Sequence, residues 1–132
     1  MAGYSKTPLP QKLGLKPGMR AAFRQMPASV LKLLEPLPEG LERKKSGGGD
    51  LNYIHFFADS VADLEKQFPT LKKSLAKDGM LWISWRKGKV NTDLTENDVR
   101  RIALAGGLVD VKVCAIDEAW SGLKLVYRLK DR

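Results

Sequence analysis

Leu51-Asn52-Tyr53-Ile54-His55-Phe56-Phe57-Ala58 is short, nearly continuous in apolar and aromatic residues, and bounded by turn signals. A strand buried on both faces of a parallel sheet has this composition, because helices cover the sheet above and below. Asp59 or Ser60 can cap the helix that follows. Val61, Leu64, Phe68, Leu71 and Leu75 then recur at spacings of three and four, which is one helical face. Pro69 inside that pattern predicts a kink or a split, and Lys77-Asp78-Gly79 predicts the helix end. Met80-Leu81-Trp82-Ile83-Ser84-Trp85 is a second strong strand.

Outward from this centre, the pattern continues in both directions. Towards the N-terminus, Met19 to Gln25 reads as the first strand, and Pro27 suits the first turn of a short helix carrying Val30, Leu31, Leu33 and Leu34. Leu41 to Lys45 reads as a weak polar edge strand, followed by the loop Ser46-Gly47-Gly48-Gly49-Asp50. Towards the C-terminus, Thr95-Glu96-Asn97-Asp98 carries a capping signal for a helix that Gly106-Gly107 stops. Leu108 to Ile116 and Leu123 to Leu129 close the chain as strands too near one another for a crossover helix, so they form an antiparallel hairpin. The order β-α-β-β-α-β-α-β-β predicts a three-layer α/β Rossmann-like fold. Its sheet has about six mostly parallel strands with an antiparallel C-terminal hairpin strand, and helices lie on both faces. Residues 1–14 read as an N-terminal arm and 15–132 as one domain, which the length of 132 residues suits.

Several short motifs carry a family resemblance. Leu75-Ala76-Lys77-Asp78-Gly79-Met80-Leu81-Trp82-Ile83-Ser84 resembles the helix-turn-strand of class I S-adenosylmethionine-dependent methyltransferases. Asp50-Leu51-Asn52-Tyr53-Ile54 resembles the preceding strand of that family, and Gly106-Gly107-Leu108-Val109 the turn into its penultimate strand. Leu15-Lys16-Pro17-Gly18-Met19-Arg20 resembles the lead-in to its first strand. The chain as a whole resembles a bacterial family of short domains to which no activity is assigned. That likeness rests on Tyr4-Ser5-Lys6-Thr7-Pro8-Leu9, Asp78-Gly79-Met80-Leu81-Trp82, Thr92-Asp93-Leu94-Thr95-Glu96 and Trp120-Ser121-Gly122-Leu123-Lys124.

The methyltransferase resemblance implies a donor site, and the matching residues depart from it. Glycines after the first strand let a backbone approach such a ligand. Here the segment is Arg24-Gln25-Met26-Pro27-Ala28, without glycine. An acid at the end of the second strand would take the ribose hydroxyls, but Leu41-Glu42-Arg43-Lys44-Lys45 ends in cations. The expectation is therefore a degenerate methyltransferase-like module with no cofactor and no catalytic residues, acting by binding a protein partner or small ligand.

Open α/β sheets place ligands beyond the carboxyl ends of their strands. The residues expected there are Met26, Asp59, Ser60, Ser84, Trp85, Arg86, Trp120 and Ser121. Two further readings stand beside this one: a basic nucleic-acid-binding adaptor, and a divergent methyltransferase-like enzyme with an atypical donor site. The net charge of +8 supports the first of these, with Lys12, Lys16, Arg20, Arg43, Lys44 and Lys45 as candidate polyanion contacts.

Other classes find no support in the residues. The single cysteine, Cys114, sits in an apolar run and reads as a buried thiol rather than a nucleophile. The lone histidine, His55, reads as a satisfied core residue, and no cluster has metal-ligand spacing. No stretch approaches the roughly 20 apolar residues of a membrane span, and the N-terminus has no apolar signal core. These features give the expectation of a cytoplasmic protein, with the weak strand 41–45 as a possible pairing edge for a homo-oligomer.

Overall fold

The computed structural model describes residues 7–45, 47–89 and 92–132. The first six residues of the expected arm, Ser46 of the glycine loop, and residues 90 and 91 of the loop after the second strong strand lie outside the described residues.

Strand β3 (Leu51–Phe57) lies in the middle of a six-stranded sheet. It is flanked by β1 (Arg20–Arg24) and β4 (Leu75–Arg86), both parallel to it. Strand β2 (Glu42–Arg43) pairs parallel with β1 at one edge. At the other side, β6 (Trp120–Tyr127) inserts antiparallel between β4 and the edge strand β5 (Leu108–Ala115). The resulting order is β2-β1-β3-β4-β6-β5.

Strand alternation divides the core into two layers. On one face, Ala22, Ile54, Phe56, Leu81, Ile83, Leu123 and Leu125 pack against α3 (Val61–Ser74) and α4 (Glu96–Ala105). The helices contribute Leu64, Phe68, Leu71, Val99 and Ile102. Burying each of these large side chains stabilises the fold by about 1.5–3 kcal/mol before entropy is subtracted. On the other face, Ala21, Tyr53, Phe57, Trp82, Cys114 and Trp120 are covered by Leu13, Val30 and Leu34. Leu13 follows the short helix α1 (Leu9–Lys12), and the other two lie on α2 (Ala28–Leu34). The indole N–H of Trp82 donates to the Leu13 carbonyl at 2.9 Å, which fastens the arm to the sheet.

Several boundaries differ from those the sequence suggests. Helix α3 is one element with Pro69 inside it, not split there. Pro69 lies on the exposed side, where water can satisfy the carbonyl it leaves unpaired. The helix ends at Ser74, and Lys77-Asp78-Gly79 belongs to β4. Gly79 is therefore a strand glycine: a Cβ there would lie 2.8 Å from the Leu51 carbonyl oxygen of β3. The weak strand 41–45 shrinks to Glu42–Arg43, and the last strand begins at Trp120 and stops at Tyr127. Leu129–Asp131 forms a single 3-10 turn instead. Gly122 of β6 faces Ser84, where a Cβ would come within 3.0 Å of the hydroxyl.

Among the described residues of the connection from β2 to β3 (44, 45 and 47–50) there is no helix. Parallel strands are ordinarily joined by a helical crossover. Its absence leaves the β1–β2 edge without the cover that α3 and α4 give the rest of that face.

Candidate anion-binding site

At the carboxyl ends of the strands, the chain satisfies its own polar groups. Gln25 follows β1 with φ of 57°, the one non-glycine residue of positive φ among those described. Such a backbone costs on the order of 1–2 kcal/mol for a residue with a Cβ. Its side-chain amide donates to the Phe57 carbonyl at 2.8 Å and to the Asp63 carboxylate at 3.1 Å. The amide thus spans the gap between the ends of β1 and β3. The same carboxylate accepts the Asp59 amide N–H at 3.1 Å.

The amino end of α3 is likewise occupied. Ser60 caps it by accepting from the Asp63 amide at 3.0 Å, and Asp93 accepts from the Val61 amide at 2.9 Å. The hydroxyl of Thr92 donates to the Asp59 carbonyl at 2.8 Å. The backbone N–H groups of Asp59, Val61 and Asp63, at the amino end of α3, are therefore paired within the protein.

The eight rim residues singled out from the sequence do not converge on one site. Asp59 and Ser60 join the α3 cap, and Met26 packs against the layer beneath α2. Trp85 is buried against α3 and α4, on the face opposite Trp120. Arg86 lies over the Trp120 ring, 4.6 Å from its centre, while Ser121 is the cross-strand partner of Trp85 and faces the other side of the sheet.

Ser84 is fully buried, and its hydroxyl lies 2.6 Å from His55 Nε2. The Tyr53 hydroxyl lies 3.0 Å from His55 Nδ1. When Tyr53 donates to Nδ1, Nε2–H donates to Ser84, and each ring nitrogen is satisfied. Burial pushes the His55 pKa down to about 3, so the imidazole is neutral. The ring stacks on Phe57 with centroids 4.5 Å apart. With all three residues wholly inside the core, this chain holds strands together and meets no substrate.

Among the described residues, an open groove lies at the β1–β2 edge. Phe23, Arg24, Gln25, Arg43, Lys44, Lys45 and Thr70 line a groove of about 810 Å³. Arg43 lies over the Phe23 ring at 5.1 Å, on the face of Ala21. Arg24 points to the opposite face by strand alternation. Among the described residues, the only acid paired with these cations is Glu42, 3.6 Å from Lys44 and shared with Arg20 at 3.5 Å. Both pairs are exposed and weak.

The other basic candidates lie elsewhere. Arg20 sits at the amino end of β1 and is paired with Glu42 and Asp50. Lys12 and Lys16 lie on the covered face near Lys112, whose ammonium donates to the Lys12 carbonyl at 3.2 Å. Lys112 and Lys124 are cross-strand partners, and partial burial, helped by the neighbouring Lys112 and Lys16, lowers the Lys124 pKa.

Of the groove, Arg43, Lys44 and Lys45 are legible as a sequence cluster. Arg24 and Phe23 join them only through the β1–β2 register. No sequence signal marks Gln25, since glutamine is not a residue that favours a left-handed turn.

The fold is that of the class I S-adenosylmethionine-dependent methyltransferases, a Rossmann-like arrangement. A SAM-dependent methyltransferase from Aquifex aeolicus aligns with a TM-score of 0.60 at 16% identity, covering 87% of this chain and 85% of that one. Magnesium protoporphyrin IX methyltransferase from Synechocystis, solved with bound SAH, aligns at 0.62 and 11% identity over 91% and 78%. The fibrillarin pre-rRNA processing protein of Methanococcus jannaschii aligns at 0.57 and 12% identity over 93% and 70%. No family model matches the sequence, and no curated protein sequence matches it.

That fold implies S-adenosylmethionine, and the residues present do not fit it. The turn after β1 carries a glutamine side chain bonded across to β3, and β2 leads into Lys44-Lys45 rather than an acid. No helix of the described residues is long and apolar enough to cross a membrane, and no group of three metal-ligating side chains forms among them.

Proposed function

We propose that the chain is a non-catalytic Rossmann-like module that binds an anionic partner or ligand in the basic groove at the carboxyl ends of β1 and β2. The observation that carries this reading is the contrast between neighbouring sites. The donor position is closed by Gln25 and Asp63, while Arg24, Arg43, Lys44 and Lys45 surround open space beside it. Four cations with one shared acid attract anions, and at an open edge they remain available to them.

Isothermal titration calorimetry tests it with two probes. Tripolyphosphate should bind, and Lys44→Gln with Lys45→Gln should weaken it at least about tenfold, the loss of two charge contacts. S-adenosylmethionine should give no heat. A reading of a divergent methyltransferase-like enzyme is favoured by the fold likeness alone; donor binding that S-adenosylhomocysteine displaces would establish it and overturn the present one.

A further inference from the structure

Resting on the groove reading above, we infer that the ligand of the β1–β2 edge is single-stranded nucleic acid, held by its phosphates and by one stacked base. The cations do not converge on a point. Arg24 stands on the Phe56 face of the sheet and Arg43 on the Ala21 face, with Lys44 and Lys45 continuing from the strand end. An isolated phosphate group calls for donors aimed at one position, commonly backbone N–H groups at a glycine loop or helix start. Among the described residues that line this groove there is neither, and Gln25 is the lining residue from the turn after β1. Cations spread around an edge instead follow a chain of charges.

The second element is the Arg43–Phe23 pair. The guanidinium carbon lies 5.1 Å from the ring centre, and Phe23 is itself fixed edge-on by Tyr53 at 6.1 Å. Arg43 is exposed, so its flat outer face is a platform of the kind on which unpaired bases stack. An acidic peptide would use the charges but gain nothing from that platform. A duplex would hide its base faces, and among the described residues no helix or ribbon projects from this edge to enter a major groove.

The test is fluorescence anisotropy with a labelled 12-nucleotide oligouridine. Contacts to three or four phosphates predict a salt slope of about −2 to −3 on logarithmic axes, so affinity should fall roughly 15- to 60-fold between 50 and 200 mM salt. Lys44→Gln with Lys45→Gln should reduce affinity at least about tenfold and make the slope shallower by about 1.4. Arg43→Lys keeps the charge and should weaken binding several-fold with the slope unchanged, reporting the lost stacking. Lys112→Gln with Lys124→Gln, at the opposite edge, should leave binding unaltered. Circular dichroism of these surface variants confirms the fold.

No binding at 50 mM salt overturns the inference. So does a 12-base-pair duplex bound as tightly as the single strand, or equal losses from the two double variants. Tripolyphosphate or polyglutamate bound through Lys44 and Lys45 by a protein that ignores the oligonucleotide also overturns it, while leaving the groove as an anion site. Failure of tripolyphosphate and polyglutamate alongside the oligonucleotide removes the groove reading itself.

Discussion

The side-chain amide of Gln25 lies 3.1 Å from the carboxylate of Asp63, closing the space between the end of β1 and the start of α3. The closure is held against an unfavourable backbone, since Gln25 has φ of 57°. Two opposed terms then set the effect of substitution. Gln25→Ala keeps the left-handed backbone and loses the bonds to Phe57 and Asp63, lowering stability by about 1–2 kcal/mol. Gln25→Gly loses the same bonds but releases the strain, and should be about 1 kcal/mol more stable than the alanine variant. Urea denaturation of both proteins reads the order, which is the reverse of that at an ordinary position.

His55 carries a pH prediction. Its folded-state pKa is lowered from 6.5 to about 3 by burial, so the unfolded chain binds the proton more readily. Stability from the neutral ring is fully present above pH 6.5. It declines by about 1.4 kcal/mol per pH unit as the pH falls from 6.5 towards about 3. The imidazole resonances in a proton–nitrogen correlation spectrum should show a neutral ring without titration from pH 8 down to pH 5. Titration near pH 6 would place the ring in contact with solvent.

Ser84→Ala tests the same chain from the other side. It removes the hydroxyl 2.6 Å from His55 Nε2 and leaves a buried ring nitrogen without its partner. The expected loss is about 1–3 kcal/mol, read by thermal denaturation. Anion binding at the distant edge should be unchanged.

Trp82→Phe should loosen the arm. The variant loses the indole bond to the Leu13 carbonyl and part of a fully buried side chain, at a cost of about 2 kcal/mol. Hydrogen exchange should accelerate first at the amides of Leu13 and Leu15, which are held within the same segment. Uniform acceleration across the sheet would show that the arm and core open together.

The parts of this fold that are legible in the sequence are those dictated by burial. Leu51 to Phe57 has to lie inside a sheet, and Leu64, Phe68 and Leu71 have to face it, whatever their partners. The alternation of strands and helices then restricts the topology. Gly79 misleads because a helix stop and a glycine under a close strand look alike until the β3 carbonyl is placed. Trp85 and Trp120 look like neighbours on one rim, yet alternation sends them to opposite faces. The groove depends on a register, Arg20 with Glu42 and Ala21 with Arg43, that two exposed residues of β2 do not advertise.

The claim that the sheet edge, and not the donor position, is where this chain binds is tested most directly by a proton–nitrogen correlation titration with tripolyphosphate. Shifts should gather at residues 23–25 and 43–45, with the amides of residues 59–63 and of Lys16, Lys112 and Lys124 unmoved. Shifts centred on Asp59 to Asp63, or on the lysines of the opposite edge, would contradict it.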